Sequence, residues 1–173
     1  CGRSQIVLMG KPFGHSAAGD QSELRLALWR EVTASLDRLR EAFDVVVVEG
    51  AGSPAEVNIK HNDIANMRVA AYAGAPVLLV ADIDPGGVFA SIVGTLELLE
   101  PTERALVQGL VINKFRGDPA LFESGMAFLE ERTGVPVAGV IPHFTDISVP
   151  QEDSVSLERP ARSDPPSVID VAV

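Results

Sequence analysis

Two acidic segments carry the plainest chemical signal in this sequence. Glu49-Gly50-Ala51-Gly52-Ser53-Pro54 follows the apolar run Val45–Val48, and Asp82-Ile83-Asp84-Pro85-Gly86-Gly87 follows the run Val77–Val80 and Ala81. A carboxylate at a strand end, followed by glycines, can face a ligand while the backbone comes close to it, because glycine carries no Cβ. Glu49 in that setting suits a Mg²⁺ ion, held directly or through water beside phosphates. The plainer reading is that Glu49 caps the turn that Gly50 and Gly52 permit. Asp82 and Asp84 are two residues apart, which puts both carboxylates on one side of an extended backbone. Gly86 and Gly87 then lead into a helix whose first amides can receive an anion. One aspartate is enough for an N-cap, so the second favours function.

A third segment, Asn113-Lys114-Phe115-Arg116-Gly117-Asp118, follows Leu110–Ile112. Asparagine offers both a donor and an acceptor, which suits the edge of a purine ring. Lys114 is a candidate ligand contact, against the plain alternative of solvated surface charge that also covers Arg116. After Val135–Ile141 come Pro142 and His143, where a lone histidine reads as loop surface. The stretch 55–67 holds Asn58, Asp63 and Asn66, and it lies directly downstream of Glu49, so it can line the same mouth.

Other chemistries lack their residues. A phosphate-binding P-loop needs Gly-x-x-x-x-Gly-Lys-Ser/Thr; Gly14 and Gly19 have the glycine spacing, but Asp20 stands where the lysine belongs. An aspartate there repels phosphate, so this stretch is expected to be a flexible loop. His15, His61 and His143 have no zinc-site spacing. No Gly-x-Ser-x-Gly elbow occurs and Cys1 is terminal, so a serine or cysteine nucleophile has little support.

The elements that must hold these residues alternate along the chain. Val45–Val48, Val77–Val80, Leu110–Ile112 and Val135–Ile141 are continuous apolar runs, the pattern of strands buried on both faces of a parallel sheet. Between them, Leu24, Leu28, Val32, Leu36, Leu39 and Phe43 form one helical stripe over Ser22–Phe43. Asp63–Ala73 is a second helix, stopped by Gly74 and Pro76, and Val88–Leu99 is a third. Pro119–Arg132 is a fourth, stopped by Gly134 and Pro136. Strand and helix in alternation predict an α/β fold with a mainly parallel sheet flanked by helices. In such sheets ligands bind beyond the carboxyl ends of the strands, where the acidic segments fall. After Pro150 the pattern stops. Residues 151–166 read as a linker, with Ser154–Leu157 a short edge strand, and 167–173 read as the start of a following domain.

Composition bounds the reading. The chain has 173 residues, 46% hydrophobic and 22% charged, with a formal charge of −10. That length suits one domain, here residues 1–150, and the chain's ends suggest a segment of a longer protein. The acid excess argues against a nucleic-acid surface. No apolar run approaches a membrane span, and a single cysteine fits a reducing compartment, so a cytoplasmic location is expected.

Taken together, five stretches in order resemble the synthetase domain of the cobyric acid synthase family, glutamine-dependent amidotransferases of cobalamin biosynthesis. They are Val46–Glu56, Asp63–Met67, Asp82–Ala90, Val111–Asp118 and Gly134–Val137. The family position after Asp84 is usually arginine, and this chain has Pro85. The resemblance implies a dethiobiotin-synthetase-like fold related to P-loop NTPases. It implies ATP- and Mg²⁺-dependent activation of corrin side-chain carboxylates, with ammonia supplied by a glutaminase domain. It implies that Glu49 is the Mg²⁺-linked carboxylate and that Asp82 and Asp84 border the phosphates or the acceptor carboxylate. Asn113 would read adenine, with Lys114, Pro142, Gly50 and Gly52 on the nucleotide side, and Asn58, Asp63 and Asn66 on the corrin side. It places the P-loop strand upstream of residue 1, so the chain alone is expected to be inactive, with an open strand edge that a homo-oligomer would cover. Two other readings stay open: cobyrinic acid a,c-diamide synthase or another carboxylate ligase of the same fold, and a non-catalytic P-loop-like interaction domain.

Overall fold

The structure, a computed structural model, describes residues 4–16, 22–58, 60 and 63–144. The expected linker 151–166, the segment 167–173, the strand Ser154–Leu157, and Gly19, Asp20 and His61 lie outside the described residues. The chain divides into two units, Cys1–His143 and Phe144–Val173, and every described helix and strand belongs to the first.

A hairpin comes first. β1 (Ser4–Leu8) pairs antiparallel with β2 (Lys11–Ser16). Met9 and Gly10 between them both have positive φ, 50° and 75°, the combination that a two-residue hairpin turn of matching twist demands. Gly14 therefore lies in a strand, which corrects the flexible loop expected there.

The central sheet is parallel, in the order β3 (Val77–Asp82), β4 (Val107–Phe115), β5 (Val137–Pro142). Leu79 faces Leu110 and Ala81 faces Ile112 across the first pair. α3 (Val88–Leu98) and α5 (Glu123–Thr133) cover this side, and Ile92, Leu96, Leu110, Ile112 and Leu129 are the largest fully buried side chains. Each such side chain contributes about 1.5–3 kcal/mol by leaving water. Phe89 stacks on Phe122 at 5.5 Å, and Phe115 meets the same ring at 5.1 Å, which seals the end of the core nearest the strand tips. At Gly109 the β3–β4 register shifts, and a Cβ there would come within 2.8 Å of Leu78 Cδ2 and 3.2 Å of Ala138 Cβ. Glycine lets β4 pass between its two neighbours.

β4 is buried at Val107 and from Gly109 to Ile112, as the middle of a central strand should be. β3 is not buried on both faces: Leu78 and Val80 are 58% and 55% exposed, while Val77, Leu79 and Ala81 pack on the core. β3 is an edge strand of the described sheet, and no described helix covers its second face.

The strand expected at Val45–Val48 does not form. Those residues carry no strand assignment, and Val45 and Val47 are 78% and 91% exposed. Four valines favour extended backbone, but a strand exists only with a partner for its amides, and none pairs with them among the described residues.

α1 (Ser22–Ala42) and α2 (Met67–Ala73) dock through a small aromatic cluster. Trp29 meets the Tyr72 ring edge-on at 5.8 Å, the Arg68 guanidinium lies 4.0 Å over Trp29, and Tyr72 Oη donates to Asp37 at 2.7 Å. Of the expected stripe, Leu36 is buried, while Leu39 and Phe43 are 44% and 61% exposed. α2 starts at Met67, after a turn whose amides Asp63 holds, and stops at Gly74 in the left-handed conformation (φ 59°). α4 (Pro101–Arg104) is a single turn whose entry is fixed by Glu103, which accepts from the Glu100 amide at 2.9 Å.

Candidate functional site

The parallel register brings the carboxyl ends of β3, β4 and β5 together: Asp82 pairs with Asn113, and Phe115 with Pro142. The chain leaves β3 through a tight turn in which Asp82 Oδ1 accepts the Asp84 amide at 2.9 Å and Ile83 O accepts that of Gly86 at 3.0 Å. Because Asp82 and Asp84 are two apart on one strand end and Lys114 and Arg116 two apart on the next, the charges meet in register. Lys114 Nζ lies 2.5 Å from Asp82 Oδ2. Arg116 donates to both oxygens of Asp84, at 2.9 and 3.3 Å. The result is a ladder of two opposite-charge pairs across the mouth of the sheet.

Each pair sets its members' protonation. The Lys114 hydrogen bond holds the Asp82 carboxyl below its ordinary value, against a desolvation cost, and Asp82 in return raises the Lys114 amine. Arg116 does the same for Asp84, with a smaller contribution from His143, whose amide is anchored to Phe115 O at 2.8 Å. Both aspartates are anionic at neutral pH, and both are already neutralised. Lys114 reaches back to Asp82 from a left-handed backbone (φ 59°), which Asn113 supports by accepting the Lys114 amide on Oδ1 at 2.9 Å. One lone pair of that carbonyl is thus committed locally, and the Asn113 amide nitrogen remains the group able to meet a ligand acceptor.

A second cluster forms around the Glu49 loop. Asn66 grips Ala51 by both backbone groups, its Oδ1 accepting the Ala51 amide at 3.0 Å and its Nδ2 donating to the Ala51 carbonyl at 2.8 Å. Asp63 Oδ1 accepts the amides of Ala65 and Asn66 at 2.9 and 2.8 Å, closing the turn before α2. Lys60 Nζ is buried and sits 2.6 Å from Glu103 and 3.7 Å from Glu100, which ties the loop to α4 and raises the lysine through its Glu103 bond. A shallow pocket of about 210 Å³ lies here, and Gly52, Ser53, Glu56, Asp63 and Asn66 are among its walls.

The sequence-predicted residues therefore fall into two groups. Asp82, Asp84, Asn113, Lys114 and Pro142 meet at the strand ends, and Gly52, Asp63 and Asn66 line the pocket, with Gly50 against the Asn66 side chain. Glu49 and Asn58 are exposed beside the second group. Arg116, which sequence reasoning alone reads as surface charge, is the residue it misses. Its signal is the matched spacing of two in both segments, legible only once β3 and β4 are known to be parallel neighbours. Among the described residues no group of three or more His, Cys, Asp or Glu gathers as a metal cage. No described helix is long and apolar enough to cross a membrane.

A helix-flanked parallel sheet with charged residues at its strand ends belongs to a known class. A family model described as an AAA domain matches residues 8–151, and the chain belongs to that family of P-loop NTPase-like α/β domains. Its sequence is similar to cobyric acid synthases, as the five motifs led one to expect. Those of Chloroflexus aggregans and Roseiflexus castenholzii are 55% and 58% identical over 157 residues, 91% of this chain and 32% of each relative. That of Sorangium cellulosum is 56% identical over 173 residues, 99% of this chain and 33% of the relative. The chain thus spans about a third of the length of the curated relatives it matches. No solved structure matches it.

Proposed function

We propose that the chain is the central part of the synthetase domain of a cobyric acid synthase, acting in the cytoplasm to convert corrin side-chain carboxylates into amides. The observation that supports this most is the Asp82–Lys114 and Asp84–Arg116 ladder at the sheet mouth. It is a preorganised charged surface where an anionic acceptor and a nucleotide would meet. The substrate carboxylate attacks the γ-phosphorus of ATP and ADP leaves, giving an acyl phosphate. Ammonia, released from glutamine by a separate glutaminase domain, attacks the acyl carbon, and inorganic phosphate leaves with formation of the amide.

In this reading the ladder works by aiming its cations. A substrate carboxylate or phosphate arriving at the mouth meets Lys114 and Arg116 already held across it by Asp82 and Asp84. Asn113 offers its amide nitrogen to the base, with Pro142 beside it, and Gly50 and Gly52 admit the nucleotide close to the backbone. Asn58, with Asp63 and Asn66 ordering the turn behind it, faces the corrin. Mg²⁺, when bound, would neutralise phosphate charge. The exposed Glu49 carboxylate fits it, since this ion takes one or two carboxylates and completes its shell with phosphate and water. Asp82 and Asp84, each paired with a cation, fit it less well.

The rest of the whole protein supplies the phosphate-binding loop and the ammonia, so this chain alone turns over no ATP. Incubating the whole protein with cobyrinic acid a,c-diamide, ATP and glutamine tests the reading. One phosphate released per amide formed is the expected stoichiometry; amide formation without ATP would refute it.

A further inference from the structure

We infer that Asn66 is a positioning residue for Glu49: its amide clamps Ala51 and so fixes the loop that presents the Glu49 carboxylate. Position 50 is glycine because the clamp leaves no room for a Cβ. The inference rests on the role proposed above for Glu49.

Three observations carry it. The two bonds from Asn66 to Ala51, 3.0 and 2.8 Å, are the pair a neighbouring strand would make. They stand where such pairing is missing, since Val45–Val48 carries no strand pairing on the other side of Glu49. A Cβ on Gly50 would lie 2.3 Å from Asn66 Oδ1, with the next neighbours at 3.4 Å or more. Gly50 is not among the residues of positive φ, unlike Gly52 at 66°. Backbone conformation therefore does not demand glycine at 50; the Asn66 side chain does. Finally, Asn66 is itself held. Its backbone amide donates to Asp63, and its carbonyl accepts from Val69 and Ala70 at 3.0 and 3.1 Å in the first turn of α2. Met67 and Val69 of that helix are 4% and 6% exposed. Rigidity passes from the core through α2 and Asn66 to Ala51, two residues from Glu49.

The test uses the whole protein carrying Gly50→Ala, Asn66→Ala, both together, or Asn66→Asp. Hydrogen exchange of the segment around Ala51 is measured without ligands, and amidation kinetics with the corrin diacid, Mg²⁺ and ATP. Asn66→Ala should speed exchange at Ala51 about tenfold and lower kcat by a similar factor. Gly50→Ala should do the same alone and add nothing in the double variant, where the colliding oxygen is gone. Asn66→Asp, which keeps the acceptor for the Ala51 amide, should fall between. Losses from Gly50→Ala and Asn66→Ala that multiply, or a raised corrin KM with unchanged exchange, would overturn the clamp. Faster exchange with wild-type kcat would overturn the positioning role. A Glu49→Gln protein with wild-type turnover would sink the reading of Glu49 instead, while the Gly50–Asn66 coupling in exchange would still be seen.

Discussion

Replacing Asp82 by Asn separates what the charge ladder does for the fold from what it does for chemistry. The swap keeps Oδ1, which accepts the Asp84 amide at 2.9 Å, and turns the oxygen that accepts from Lys114 into an uncharged NH2 donor, so the charge and that hydrogen bond are lost together. The side chains of the pair are 36% and 47% exposed, so water and salt screen the attraction. Such pairs contribute roughly 0.2–1 kcal/mol. For a chain of this size a loss near 0.5 kcal/mol lowers the melting temperature by about 1–2 °C. The difference should shrink further in 0.5 M salt, where the Debye length is below about 5 Å. Its pH dependence has a definite sign. Lys114 lowers the Asp82 carboxyl, so the stabilisation is complete above the ordinary value of 3.8 and fades as pH falls below it. Activity should respond quite differently. Lys114, released from its counter-ion, is no longer aimed across the mouth, and amidation by the whole protein should drop at least about tenfold, a misplaced charge of about 1.4 kcal/mol in the transition state. Thermal unfolding at two salt concentrations and steady-state amidation read both. A melting temperature lowered by more than about 5 °C with unchanged turnover would show that the ladder is structural and refute the reasoning.

Two further predictions concern how the site is held. Thr133 Oγ1 accepts the Val135 amide at 3.1 Å and donates to Leu129 O at 2.6 Å, all of it buried. Thr133→Val leaves that amide unpaired and should cost about 1–3 kcal/mol in urea unfolding; a wild-type midpoint would contradict it. The Lys60–Glu103 pair is more sheltered, with side chains 21% and 19% exposed, and Lys60→Met should cost about 1 kcal/mol at neutral pH. Since Glu103 raises the lysine above 10.5, the wild type should lose this advantage as pH climbs past that value. A difference that persisted at pH 12 would point to lost packing of the lysine stem.

Much of the fold was legible because burial leaves a mark on sequence. The runs that became β3, β4 and β5 are apolar and β-branched, and the glycine–proline stops mark where α2 and α5 end, at Gly74 and Gly134 in the left-handed conformation. What failed depended on pairing. Val45–Val48 has every local preference of a strand, yet a strand is a relation between two segments, and no described neighbour meets it. The 4–16 hairpin was missed for the opposite reason, since Lys11, Pro12, Gly14, His15 and Ser16 hide its β2 half behind polar and turn-forming residues. In the candidate site, the acids announced themselves by following apolar runs. Their cationic partners did not, because Arg116 becomes a partner of Asp84 only through parallel registry across 32 residues. The same holds for Asn66 and Ala51, separated by 15 residues and joined by a side-chain amide.

In the proposed function this domain handles ATP for carboxylate amidation with Glu49 at the metal. Its most direct test is the whole protein with Glu49→Gln, assayed for ATP-dependent amide formation across a Mg²⁺ series. Loss of the carboxylate charge should lower kcat by at least about a hundredfold, or shift the Mg²⁺ requirement upward by a comparable factor, with an unchanged melting temperature. Wild-type turnover at an unchanged Mg²⁺ requirement would contradict the claim.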